Sequence, residues 1–187
     1  GCAYRAMQFG GTGINEMPVE ERLTLTNMTT EAGAKNGIIA PDQKIFDYLG
    51  ARGAKNFAPV YDDAGSEYTK IFEYEASELE PLVAKPYSPE NVAAARDISS
   101  IELDKAYIGS CTGAKLEDLR AVAKILKGRK VKIRTEILPA AISIYKKALD
   151  EGLVSIFLDA GVTIGPPTCG ACCGAHMGVL AKDEVCV

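Results

Sequence analysis

From about residue 105 onward, short apolar runs alternate with helical stripes, and this alternation constrains the fold more than any other feature of the 187-residue chain. Ala106-Tyr107-Ile108 reads as a short buried strand. Leu116, Leu119, Val122, Ala123 and Leu126 recur on one helical face, closed by Gly128. Val131 to Leu138 alternates at period two, and Ala141, Ile144, Tyr145, Ala148 and Leu149 mark a second helix ended at Gly152. Leu153 to Ala160 is an apolar helix before Gly161, and Val162-Thr163-Ile164 is a further strand. Strands alternating with helices imply an open, mostly parallel α/β sheet flanked by helices.

The N-terminal part reads as a smaller mixed α+β region, which sets expected divisions of 1–95 and 96–187. A helix from Glu20-Glu21 through Ala34, ended by Gly37, leads to a short strand at Ile38-Ile39-Ala40. Pro41-Asp42 starts a helix from Lys44 to Leu49, and residues 50–66 are turn-rich. Tyr68 to Tyr74 and Leu79 to Lys85 read as strands, and Ser88-Pro89-Glu90 as the start of a helix running to Arg96. Gly10-Gly11-Thr12-Gly13 resembles a phosphate loop, but without a following Lys or a clear preceding strand it is read as a turn. Asn27 and Glu31, four apart, are expected on one helix face, with small neighbours suggesting close packing.

Six cysteines are present, and four of them, including the three candidate ligands Cys111, Cys169 and Cys172, fall in two glycine-framed settings: Gly109-Ser110-Cys111-Thr112-Gly113 and Pro167-Thr168-Cys169-Gly170-Ala171-Cys172-Cys173-Gly174. Cys111 follows one strand and Cys169 another, so both sit at carboxyl ends of strands, where ligands gather in open α/β sheets. Three thiolates can hold three irons of a four-iron cluster and leave the last without a protein ligand. A lone C-x-x-C equally fits half a zinc site, with Cys173 or His176 as fourth donor, or a redox pair. Soft thiolates suit zinc and iron alike, so donor type leaves all three open. Cys173 reads as a spectator beside Cys172, Cys2 and Cys186 as buried thiols, and His176, the single histidine, as structural.

Composition narrows the setting. A net charge of −4 argues against a general nucleic-acid surface. No stretch reaches the roughly 18–20 apolar residues of a membrane span. The length is far above that of small disulfide-stapled domains, which favours reduced thiols and a cytoplasmic location. The ends, Gly1 without an initiator Met and the apolar Val185-Cys186-Val187, read as those of a piece of a longer protein.

Three stretches carry a resemblance: residues 27–37, from Asn27-Met28-Thr29-Thr30-Glu31 to Gly37; Tyr107-Ile108-Gly109-Ser110-Cys111-Thr112-Gly113; and Pro167-Thr168-Cys169-Gly170-Ala171-Cys172. In this order they resemble the aconitase superfamily, most closely its isopropylmalate isomerase large-subunit branch and homoaconitase-like relatives. The resemblance implies an aconitase-like fold and a [4Fe–4S] cluster held by Cys111, Cys169 and Cys172. It implies a hydro-lyase that moves a hydroxyl by dehydration and rehydration, interconverting 2- and 3-isopropylmalate in leucine biosynthesis. Asn27 would orient groups around the cluster, and Glu31 would handle a proton. The implied partners are a small swivelling subunit, which supplies the base, and a small 2-hydroxy di- or tricarboxylate substrate; neither nucleic acid nor membrane is implied.

Two departures stand out. Thr112-Gly113-Ala114-Lys115 replaces a common Thr-Asn-Gly-Arg, and Cys173 replaces an aliphatic residue. The family's N-terminal histidine and aspartate residues and its later arginine segment are absent, so the chain alone is expected to be inactive. The alternatives are an aconitase, homoaconitase or dimethylmalate dehydratase large subunit, or a non-catalytic metal-binding fragment.

Overall fold

In a computed structural model, which describes residues 2–174 and 176–187, the backbone groups into two units, up to Ser100 and from Ile101. In the first, strand β1 (Ala6–Phe9) leads into the short helix α1 (Thr12–Glu16) and helix α2 (Val19–Asn27). Strand β2 (Asn36–Ile39) then pairs parallel with β1, setting Ala6 beside Asn36 and Phe9 beside Ile39. The Gly10–Gly13 segment therefore does follow a strand, and it opens a five-residue helix rather than standing alone as a turn.

Helix α3 (Gln43–Gly50) is capped by Asp42, whose carboxylate accepts the Ile45 N–H at 3.1 Å. The same carboxylate accepts from the buried Arg22 at 2.8 Å. Arg22 also donates to the Met17 and Asn15 carbonyls, at 3.1 and 2.9 Å. One side chain thus joins α2, the turn after α1 and the cap of α3.

The long helix expected through Ala34 stops at Asn27. Thr29 turns its hydroxyl back onto the Thr26 carbonyl at 2.8 Å, and the Gly33 and Ala34 N–H groups bond the Thr30 and Thr29 carbonyls. A run of β-branched threonines with such local acceptors favours turns over further helix. Asn27 and Glu31 consequently do not share a helix face. The expected close packing is also displaced: Met28 and Glu31 are exposed, while Thr29 is buried. A Cβ on Gly37 would lie 2.6 Å from the Thr26 carbonyl oxygen.

Two further expectations fail in this unit. Tyr68–Tyr74 forms no strand. There the Tyr68 hydroxyl donates to Asp62 at 2.8 Å, and side-chain contacts replace a ladder. The helix expected from Ser88 to Arg96 is instead a turn followed by strand β4 (Val92–Ala94), antiparallel to β3 (Leu82–Ala84). The Ser88 hydroxyl accepts from Glu90, but the Asn91 amide donates to the Pro86 carbonyl at 2.7 Å and the Lys85 N–H to the Asn91 carbonyl at 2.7 Å. A hairpin closed by these bonds wins over the N-cap signal.

The second unit follows the alternation closely. Strands β5 (Lys105–Gly109), β6 (Arg134–Leu138) and β7 (Thr163–Ile164) form a parallel sheet in that order. Helices α4 (Leu116–Leu126), α5 (Ile142–Asp150) and α6 (Leu153–Ala160) connect them. Gly128, Gly152 and Gly161 all have positive φ at the helix ends, where residues with a Cβ are disfavoured. Leu119, Ala123, Ile137, Ala148, Phe157 and Ala160 form the core, with Ile108 and Ile164 packed against it. On the other side of β5, Cys186 bridges in parallel to Lys105, so β5 is flanked on both edges. The chain thus moves from β5 to β6 and β7, then returns to β5's opposite edge. That reversal beside β5 is where open α/β sheets place their ligands.

Leu119→Ala empties a fully buried position, and urea denaturation is expected to show a loss of about 2–5 kcal/mol. Asp42→Asn keeps a cap and leaves Arg22 its two carbonyl acceptors but no counter-charge, which costs about 1–3 kcal/mol at neutral pH. The Arg22 hydrogen bond holds the Asp42 carboxyl below its ordinary value of 3.8. Its contribution is present above that unfolded value and lost as pH falls through the lower folded one. The stability gap between protein and variant therefore closes in acid.

Candidate functional site

The Gly109–Gly113 turn leaves the carboxyl end of β5 under strain. Ser110 and Ala114 both have positive φ (72° and 50°), unusual for residues with a Cβ. Ser110 is buried, and its hydroxyl lies 2.9 Å from that of Thr112. A Cβ on Gly113 would come within 2.9 Å of the Gly109 carbonyl oxygen, which is backbone and cannot yield. The result is a tight turn that presents Cys111 exposed at its tip.

After β7, the second loop crosses Pro166-Pro167 and enters a single 3-10 turn, Gly170–Cys173. The Cys172 N–H closes the turn on the Cys169 carbonyl at 3.0 Å. Gly170 has φ +52°, and a Cβ there would run into Leu138 and the Tyr107 ring. Cys169, Cys172 and Cys173 are all exposed.

Tyr107 links the two loops. Its hydroxyl donates to the Cys169 carbonyl at 2.8 Å. Burial, and then the charge that Cys172, Cys169, Cys111 and Cys173 would carry as thiolates, push the Tyr107 hydroxyl up to about 12. It therefore remains a protonated donor across the physiological range. The Cys169 thiol is also raised, first by Cys173, then by burial, Cys111 and Cys172. Thiols from two separate loops thus share one neighbourhood, and Cys173 stands within it.

Among the described residues, no three His, Cys, Asp or Glu side chains converge closely enough to hold a single metal ion. His176 does not complete a compact site: its Nε2 lies 2.9 Å from the Thr168 hydroxyl. Cys2 and Cys186 are half-buried rather than buried, and the Cys186 thiol donates to the Val187 carbonyl at 3.3 Å. Asn27 is half-buried and Glu31 exposed, both in the first unit.

Tyr107 is the residue that sequence reasoning missed. The signal was present: it occupies the face of β5 opposite Ala106 and Ile108, two positions before Gly109. A polar-tipped aromatic on the face turned away from the helices has to meet something else.

A glycine-framed set of thiols at the carboxyl edge of a parallel sheet defines an α/β protein with a sulfur-donor site. A family model for the aconitase family (aconitate hydratase) matches residues 1–100 and 91–187, and the chain belongs to that family. It is 46% identical to the 3-isopropylmalate dehydratase large subunit of Hydrogenobaculum sp. (strain Y04AAS1), over all of this chain and 45% of that protein. Against the 3-isopropylmalate dehydratase large subunit 1 of Pyrococcus abyssi the identity is 47%, over 98% of this chain and 44% of the relative. A probable methanogen homoaconitase large subunit from Methanosarcina mazei is 46% identical, over all of this chain and 48% of its own length. The chain spans less than half the length of these curated relatives.

Gly113→Ala is expected to open the Cys111 turn and to cost about 1–3 kcal/mol, because both the contact and the turn are backbone. Denaturation of the variant, read beside the alkylation rate of Cys111, checks this.

Proposed function

We propose that the chain is the thiol-bearing segment of the large subunit of a hydro-lyase that interconverts 2- and 3-isopropylmalate, a step of leucine biosynthesis. The observation that carries this reading is that Cys111 sits in the turn at the carboxyl end of β5, and the loop after β7 that bears Cys169 and Cys172 is fastened back to β5 by the Tyr107 hydroxyl at 2.8 Å. The similarity of the whole chain to dehydratase large subunits supports the substrate class.

The donor set fits an iron–sulfur cluster: four exposed soft thiols on two loops, near enough that Cys173, Cys111 and Cys172 raise the Cys169 thiol. Cys111, Cys169 and Cys172 would hold a [4Fe–4S] cluster, which would supply Lewis-acid assistance to the departure of a substrate hydroxyl as water. The chain's own groups prepare that chemistry. The Gly109–Gly113 turn and Gly170 let backbone approach without side-chain bulk. Tyr107 holds the Cys169 carbonyl with a hydroxyl that stays protonated. Asn27 orients groups around the cluster position, and Glu31 handles the proton of the departing and returning hydroxyl, while the proton at the adjacent carbon belongs to the small subunit's base. Loss of a hydroxyl and a neighbouring proton, followed by their return with the carbons exchanged, balances as an isomerisation.

A small subunit completes the active site and supplies the base. Among the described residues, no helix is long and apolar enough to cross a membrane. Reduced, exposed thiols suit a cytoplasmic enzyme. Homoaconitase chemistry is the second reading, favoured by the Methanosarcina relative.

The full-length chain, loaded with iron and sulfide and paired with its small subunit, should turn over 2-isopropylmalate well above homocitrate or citrate. Preference for homocitrate would favour the second reading. Serine at Cys111, Cys169 or Cys172 should each reduce turnover to background, with Cys173→Ser retaining most of it; equal loss at Cys173 would redraw the ligand set. Glu31→Gln should lower kcat by about a hundredfold with little change in KM.

A further inference from the structure

Besides the thiol site, the second unit buries an ion pair that the chemistry above does not use. Lys105, the first residue of β5, is fully buried. Its Nζ lies 2.8 Å from Glu136 Oε2 on β6, an ion-pair contact whose alignment falls outside hydrogen-bond geometry. The Lys105 ammonium donates instead to the backbone carbonyl of Gly178, beyond the cysteines in the second loop. Gly178 has φ +72°, and a Cβ there would collide with both the ammonium and the Glu136 carboxylate.

The strand register explains why these contacts occur together. Lys105, Tyr107 and Gly109 alternate on one face of β5, with Glu136 and Leu138 on the same face of β6. Every one of them meets the second loop or makes room for it. Lys105 takes Gly178, Tyr107 takes Cys169, and Leu138 lies where a Cβ on Gly165 or Gly170 would be. The intervening residues, Ile108 and Ile137, pack with the helices. Helices therefore cover one face of the sheet, and the cysteine loop lies directly on the other.

We propose that Lys105 and Tyr107, with Glu136 as the counter-charge, are positioning residues that fasten the loop on either side of Cys172, at Cys169 and at Gly178, and so preset its thiols. The proposal rests on the cluster reading for its purpose but not for its geometry. A buried charge that bonds a loop carbonyl is a specific anchor, because releasing the carbonyl leaves the ammonium short of a partner in a dry site. Lys105→Met combined with Glu136→Leu removes the anchor without stranding a charge, so the sheet keeps its packing. Tyr107→Phe removes only a hydroxyl.

Hydrogen exchange of the metal-free full chain separates local anchoring from general support. In both variants, exchange at the loop amides of Cys172 and Gly174, which bond the Cys169 and Ala171 carbonyls, should rise at least about tenfold, while the amides of β5 and β6 keep their protection. After loading with iron and sulfide, a chelator should bleach the visible band of both variants faster than that of the unaltered chain. Unchanged loop exchange in both variants would overturn the proposal, as would an equal rise in loop and strands. If the double variant does not fold, Tyr107→Phe decides alone. A chain that takes up no iron at all would count against the cluster, and the exchange result would still decide the anchoring.

Discussion

The parallel pairing of β5 with β6, which sets Tyr107 beside Glu136 and Ile108 beside Ile137, is the constraint on which the second unit depends. Because side chains alternate across a strand, this single register sorts residues between two tasks. Ile108 and Ile137 join Leu119, Phe157 and Ala160 in the core under the helices. Lys105, Tyr107, Glu136 and Leu138 meet the loop that carries Cys169 and Cys172. A slip of one residue would exchange these sets, placing a lysine and a glutamate against the core and isoleucines beneath the thiols.

The same sheet explains why two distant cysteine segments share a neighbourhood. Cys111 leaves the carboxyl end of β5, and the second loop leaves that of β7 and folds back across the face. Positive φ at Ser110, Ala114 and Gly170 keeps both turns tight. The electrostatic consequence falls on two groups: Cys173, burial, Cys111 and Cys172 make the Cys169 thiol harder to ionise, and burial followed by the four thiolate charges holds the Tyr107 hydroxyl in its protonated form.

The second unit was legible because its signals agree. Apolar period, glycine stops and helix length all gave the same strands and helices, and the Cys111 and Cys169 loops fell at strand ends as expected. The first unit was less legible because local signals competed. The threonines after Asn27 could extend a helix or bond backward into turns, and they turn, which separates Asn27 from Glu31 along the chain. Ser88-Pro89-Glu90 carries a good helix start, yet the Asn91 amide and the Leu82–Ala84 strand draw the segment into a hairpin. What the sequence could not display was long-range pairing: nothing local to Lys105 announces Gly178, and nothing local to Tyr107 announces Cys169.

The central claim is that thiols gathered on one sheet face hold a four-iron cluster. Its most direct test is the metal content of the chain after anaerobic loading with iron and sulfide, read with its visible absorption. About four irons and four sulfides per chain with a broad brown band are the result this account predicts. One zinc per chain, or no retained metal with colourless protein, would contradict it.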